Sequence, residues 1–148
     1  MAALIAALPA QSCIIDAELT ACDEQGLPDF RALHFHRTRE RELCVWAFDL
    51  LYVNGRDLRA FPLNARRHQL ERLIYKANKH WLRLSETFDD GVALLTSCDR
   101  MGLEGIVSKR RFAPYRSGKC DWIKVKTATW REANKDRHDL FNKPKRQE

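Results

Sequence analysis

The chain has 148 residues, 45% of them hydrophobic and 31% charged, which suits one globular domain or part of a larger one. No apolar run approaches the ~20 residues a membrane helix needs. The formal net charge is +6, and it is uneven. Residues 1–75 carry 9 Arg, no Lys and 10 acids, whereas residues 101–148 carry 13 cations against 6 acids, which accounts for the whole surplus. A basic C-terminal third implies either a polyanionic partner, phosphates above all, or a merely solvated tail.

The opening "MAALIAALPAQS" has an apolar stretch and a small-residue end but no basic n-region. It reads as a short helix, Ala2 to Leu8, stopped by Pro9, in a cytoplasmic protein. "SCIIDAELTAC" alternates as a strand does, with Asp16 and Glu18 sharing a face. "DEQGLPD" is a turn cluster, and "DFRALHFHRTRERE" a short helix capped by Asp29. "LCVWAFDLLYV" predicts a strand that ends at the Asn54-Gly55 turn. "PLNARRHQLERLIYKAN" places Leu63, Leu70, Leu73 and Ile74 at helical spacing, an amphipathic helix with a basic outer face.

"HWLRLSE" is a short strand, and "DDGVALLTSCDRMG" a helix started by Asp89 or Asp90 and stopped by Gly102. "EGIVSK" and "DWIKVK" are strands joined by a Gly/Pro/Arg loop. "TWREANKDRHDLF" is a polar closing helix, and residues 142–148 a disordered basic tail. The fold class is α+β, with strands expected to be antiparallel.

Five cysteines without a C-x-x-C pair argue against a disulfide framework and a zinc site. His34 and His36, with no cysteine nearby, read as surface histidines. No G-x-G-x-x-G and no G-x-x-x-x-G-K-[ST] occurs, so any phosphate binding must come from side chains.

Residues 103–126 offer such side chains. In an extended "DWIKVK", Trp122, Lys124 and Lys126 project to one side and Ile123 and Val125 to the other. The two ammonium groups are then about 7 Å apart, which suits adjacent phosphate oxygens. Glu104, a buried-looking acid after a glycine helix stop, can pair with a lysine or take a Mg²⁺ that arrives with phosphates. Phe48 is either plain core or a flat surface for a base.

Four blocks, in order, carry a resemblance. "IIDAELTACD", "FDLLYVNGRDL", "EGIVSK" and "WIKVK" are similar to the Asp-Gly-Glu, Phe-Asp-Leu-Leu, Glu-Gly and Lys-x-Lys blocks of ATP-dependent DNA ligases. The resemblance is to the adenylation domain of the covalent nucleotidyltransferase superfamily, and closest to the bacterial repair type. It implies a partial, ATP-grasp-like adenylation domain over residues 1–141, mostly antiparallel sheet flanked by helices. It further implies ATP and Mg²⁺ as cofactors and nicked or broken DNA as partner, in repair or recombination.

By the same resemblance Glu18 contacts the ribose and Phe48 stacks on adenine. Glu104 acts near the metal and the α-phosphate, Lys124 and Lys126 neutralise the phosphates, and Lys109, which matches the family's lysine at the end of the Glu-Gly block, is a further nucleotide-binding residue. A strictly regular strand would put Glu104 and Lys109 on opposite faces; if both reach the pocket, the chain must bend or bulge between them. Ala17 stands where the family has Gly.

The family's Lys-x-Asp-Gly nucleophile motif occurs nowhere in the 148 residues, whose first lysine is Lys76. The chain is therefore expected to match the C-terminal two-thirds of an adenylation domain, without the OB domain. It should fail at self-adenylation unless an upstream polypeptide supplies the lysine. A non-catalytic, basic nucleic-acid-binding remnant of a ligase is the alternative.

Overall fold

A computed structural model describes residues 8–22, 42–118 and 122–135. The expected Ala2–Leu8 helix except Leu8, the turn and helix over residues 23–41 with their two histidines, and the basic tail lie outside the described residues. The chain folds as two compact units: residues 1–86 with 111–119, and residues 87–110 with 120–148.

The first unit is built on β2 (Glu42–Val53), the apolar, aromatic-rich segment. It pairs antiparallel with β1 (Cys13–Cys22) along its whole length. At Asn54 and Gly55, with φ of 46° and 85°, the chain turns tightly into β3 (Arg56–Asp57). Two consecutive positive φ values are what a two-residue hairpin requires and what Asn-Gly tolerates. The Asn54 carboxamide oxygen also accepts from the Gln11 and Ser12 amides, which fixes the entry into β1.

β4 (Leu82–Leu84) pairs with Val45–Ala47 of β2 in parallel, which corrects the expectation of antiparallel strands for this one pair. A helix intervenes between the two strands, and that is the connection a parallel pair needs.

β2 carries two extra residues. Ile14 opposes Tyr52 but Ile15 opposes Leu50; Asp16 opposes Asp49 but Ala17 opposes Ala47. Leu51 and Phe48 are thus left unopposed. Such bulges shift the phase of a strand. Ala47 and Leu50, three residues apart, both enter the core, which strict alternation would forbid.

The intervening helix is α1 (Leu63–Ala77). Leu63, Leu70, Leu73 and Ala77 form its buried stripe, and Leu70 and Leu73 join Leu50, Leu58, Trp81 and Leu82 in the core. Pro62 caps α1 with no side-chain bond. Its orphan amides at Leu63 and Asn64 instead donate to the Ala113 and Arg111 carbonyls, at 3.0 Å each. The 111–119 loop therefore belongs to this unit. Asn78, in the left-handed conformation at φ 46°, closes α1.

The second unit contains α2 (Gly91–Arg100), the antiparallel pair β5 (Gly105–Ser108) and β6 (Ile123–Lys126), and α3 (Ala128–Ala133). Asp90 caps α2 by accepting from the Val92 and Ala93 amides at 3.0 and 2.9 Å, worth about 1 kcal/mol. Gly102, at φ 68°, ends the turn after α2. α3 covers only the first part of the predicted closing helix, whose residues 136–141 lie outside the described ones.

Candidate functional site

The sequence-predicted site residues divide between the two units. Glu18 and Phe48 belong to the first; Glu104, Lys109, Lys124 and Lys126 belong to the second.

Glu18 is exposed on β1, opposite Trp46. Phe48 is half-buried at the bulge of β2, where an unopposed residue can be aimed away from its neighbours' alternation. Two arginines of α1 hold the strand around it. Arg66 lies on the buried stripe, 2% exposed, and grips Asp49, 0% exposed, through both oxygens: Nε to Oδ1 at 2.8 Å and Nη2 to Oδ2 at 2.7 Å. Oδ1 also accepts from the Leu50 amide. The remaining guanidinium nitrogen donates to the Phe61 and Ala113 carbonyls.

Arg67, the next residue, donates to the Phe48 carbonyl at 2.7 Å and to the Ser85 carbonyl. Burial lowers its pKa from the ordinary guanidinium value. The predicted basic outer face of α1 is corrected here. Arg66 and Arg67 point inward because β2 offers a buried carboxylate and the Phe48 carbonyl, and loops beside it offer the Phe61, Ala113 and Ser85 carbonyls, whereas Arg72 and Lys76 remain outside.

In the second unit, β5 and β6 bring together residues some twenty positions apart. Gly105 pairs with Lys126, Val107 with Lys124. The strands approach so closely at Gly105 that an added Cβ would lie 2.1 Å from the Val125 carbonyl oxygen and 2.8 Å from the Lys126 Cα. Glu104 and Lys126 consequently meet, Nζ to Oε1 at 3.1 Å.

Glu104 is not buried as it looked in sequence. Its side chain is 62% exposed, because it precedes β5 at the open end of a two-stranded sheet. Nor is a bulge needed to reconcile Glu104 with Lys109. β5 runs only from Gly105 to Ser108, so both residues flank the strand and escape its alternation.

Thr127, 1% exposed, ties this unit together. Its amide donates to the Glu104 carbonyl at 2.9 Å and its hydroxyl to the Leu103 carbonyl at 2.8 Å. The same hydroxyl accepts from the Trp130 amide and so caps α3. The Asp99 carboxylate accepts from the Thr129 amide at 3.0 Å; that bond and the Thr129 hydroxyl depress its pKa. Two lysines lie over indoles: Lys109 Nζ is 3.7 Å from the Trp122 ring centroid, and Lys126 Nζ is 3.6 Å from that of Trp130.

Arg67, Thr127 and Trp130 were not singled out from sequence. A Thr just before a helical pattern is a capping signal and could have flagged Thr127. Among the described residues no group of three His, Cys, Asp or Glu side chains could hold a metal, and none of the helices is long and apolar enough to cross a membrane.

The second unit thus offers lysines and one carboxylate on a small strand pair, and the first an aromatic ring on a held strand. Comparison with known proteins gives that chemistry a family. Residues 1–126 match the model of the ATP dependent DNA ligase domain. The multifunctional non-homologous end joining protein LigD of Pseudomonas aeruginosa is 41% identical over 126 residues, 82% of this chain and 15% of LigD. A probable DNA ligase of Nocardioides is 36% identical over 131 residues, 81% of this chain and 25% of that protein.

Among solved structures, mycobacterial DNA ligase D complexed with ATP and MES superposes with a TM-score of 0.64 at 35% identity. The match covers 77% of this chain and 38% of that one. The chain therefore spans a quarter or less of these two relatives and well under half of that solved structure. On these grounds the chain belongs to the ATP-dependent DNA ligase domain family.

Proposed function

We propose that this chain contributes the nucleotide-holding part of an ATP-dependent DNA ligase, one that joins nicked or broken DNA through adenylate intermediates. The observation that carries the reading is the closure of β5 on β6 at Gly105. It brings the Lys126 ammonium to Glu104, some twenty residues away in sequence, with Lys124 two residues back along β6, opposite Val107.

Phe48 stacks on adenine from the bulge of β2, its carbonyl held by Arg67, and Glu18 accepts from the ribose. Lys109, Lys124 and Lys126 draw negative charge out of the phosphates. The Glu104–Lys126 pair suits this role because it is exposed. Such pairs are worth only about 0–1 kcal/mol, so a triphosphate can take the ammonium at little cost. Glu104 would be the residue to hold a Mg²⁺ there, since a hard carboxylate oxygen suits that ion. Mg²⁺, when bound, neutralises charge on the phosphates.

DNA is held by its backbone through the basic C-terminal third, without base readout. The work is done in the cytoplasm, away from membranes. The 148 residues do not form lysyl-AMP by themselves, because electrostatic groups cannot replace a nucleophile and no Lys-x-Asp-Gly is present. Another polypeptide segment supplies that lysine.

The test is incubation with α-labelled ATP and Mg²⁺, alongside direct measurement of ATP binding. ATP should bind, Glu104→Ala and Lys124→Ala should each weaken it, and no acid-stable protein–AMP should form. A labelled covalent band would refute the dependence on a second segment, and absence of ATP binding would refute the nucleotide site.

A further inference from the structure

Lys126 has more than one neighbour competing for its ammonium, and the neighbours differ in kind. Glu104 offers a charge at 3.1 Å. Trp130 offers a neutral ring face at 3.6 Å. A carboxylate spends the lysine's charge; an indole face holds the ammonium by its quadrupole and leaves the charge available to an incoming anion. A long, 44%-exposed lysine otherwise pays side-chain entropy for any fixed position.

The backbone that carries the ring is itself held. The Trp130 amide donates to Thr127 Oγ1 at 3.3 Å, and its carbonyl accepts from Asn134 Nδ2 at 2.9 Å. Next to it, the Thr129 amide is fixed to Asp99 at the end of α2. Thr127 is anchored in turn to the Leu103 carbonyl beside Glu104. Trp130 thus reaches the same short segment that presents the carboxylate. Lys109 repeats the arrangement over Trp122, at 3.7 Å.

We propose that Trp130 is a positioning residue for Lys126, its indole face keeping the ammonium at the end of β6 when a polyphosphate displaces it from Glu104. The inference rests on the reading that Lys126 faces phosphates, and it assigns the specificity of that subsite to a ring the four sequence blocks do not include.

The experiment uses the full 148-residue chain with mono-, di- and trifluorotryptophan placed at position 130 alone. Each fluorine drains the ring face with little change of shape, so packing is kept while the cation–π attraction falls. Binding of inorganic tripolyphosphate is measured by calorimetry at low salt, with thermal melting of each protein as a control.

The expected result is a stepwise loss of affinity, reaching about two- to fivefold across the series. The trend should vanish in a Lys126→Met background. Unchanged affinity across the series, while Lys126→Met weakens binding, would overturn the role of Trp130 and leave the phosphate site standing. If Lys126→Met binds tripolyphosphate as the parent does, or the parent does not bind it, the phosphate reading fails and the inference falls with it.

Discussion

Replacing Arg66 by Met should be among the most damaging single changes in this chain. The guanidinium meets both oxygens of Asp49 and the carbonyls of Phe61 and Ala113. Met fills much of its volume but leaves Asp49, 0% exposed, without its guanidinium partner, the Leu50 amide still donating to Oδ1. Breaking a buried pair by removing one partner costs about 3–5 kcal/mol, because a charge is stranded without water. Against a typical total of about 5–15 kcal/mol, that is roughly a fifth or more of the stability.

The Asp49→Leu, Arg66→Met double variant removes the stranded charge and should regain about 2 kcal/mol or more, although the two carbonyls still lack their donor. Arg66→Lys should fall between parent and Met, since an ammonium cannot make the two-pronged contact. The assay is urea unfolding, with midpoints compared at constant slope. If Arg66→Met stayed within about 0.5 kcal/mol of the parent, the buried pair would not be holding α1 to β2. If the double variant were no more stable than the single, a stranded charge would not be the cause of the loss.

Arg67→Ala should weaken ATP binding severalfold at constant affinity for tripolyphosphate, since it frees the strand beneath Phe48 and touches no phosphate-facing lysine; equal losses for both ligands, read by calorimetry, would count against this. Gly105→Ala forces a methyl group against the Val125 carbonyl, a strain of about 1–3 kcal/mol. Hydrogen exchange should accelerate at the β6 amides and tripolyphosphate affinity should fall, and unchanged exchange would refute the close approach. Asp57, bonded by the Arg59 side chain and amide, has its pKa lowered to about 2. A carboxyl depressed by folding contributes stability that is present above its unfolded value, near 4, and lost as pH falls through the folded one. The urea midpoint should therefore drop between about pH 4 and pH 2, and less steeply in Asp57→Asn. An identical slope in both proteins would refute the contribution of this pair.

Much of this fold was legible because its periodicities are undisturbed. The Asn54-Gly55 turn, the Asp90 cap and the apolar stripe of α1 follow from local chemistry that no distant contact overrides. Arg66, read as part of an outer face, and Asp49, on which no reading was made, share a different cause. Arg66 falls three positions after Leu63, on the stripe itself, and Asp49 interrupts an apolar strand. Each looks like an exposed charge by residue type, and only the contact between two separated elements explains both. The signal was present all the same: a basic residue on a helix's apolar stripe and an acid inside an apolar strand ask for one another. Glu104 went the other way. A glycine before it and a strand after it suggested an interior position, but a sheet of two strands has no interior at its end.

Phosphate sites made by glycine-rich loops rely on backbone amides, whose direction the fold fixes. A site without such a loop must instead fix side chains, and lysine is poorly suited to being fixed. That difference accounts for what surrounds the lysines here. Close approach at Gly105 sets where the β6 backbone runs; Thr127 joins that strand's end to the Glu104 segment; Trp122 and Trp130 each give an ammonium group a ring face to rest on. The same logic operates in the first unit, where Arg67 holds the carbonyl of Phe48 rather than its ring. In each unit the residues proposed to bind nucleotide are ordinary in type, and hydrogen bonds from residues outside that set hold their backbone. Substitutions at those neighbours should accordingly change affinity for nucleotide parts selectively, base against phosphate, where substitutions in the core would lower both together.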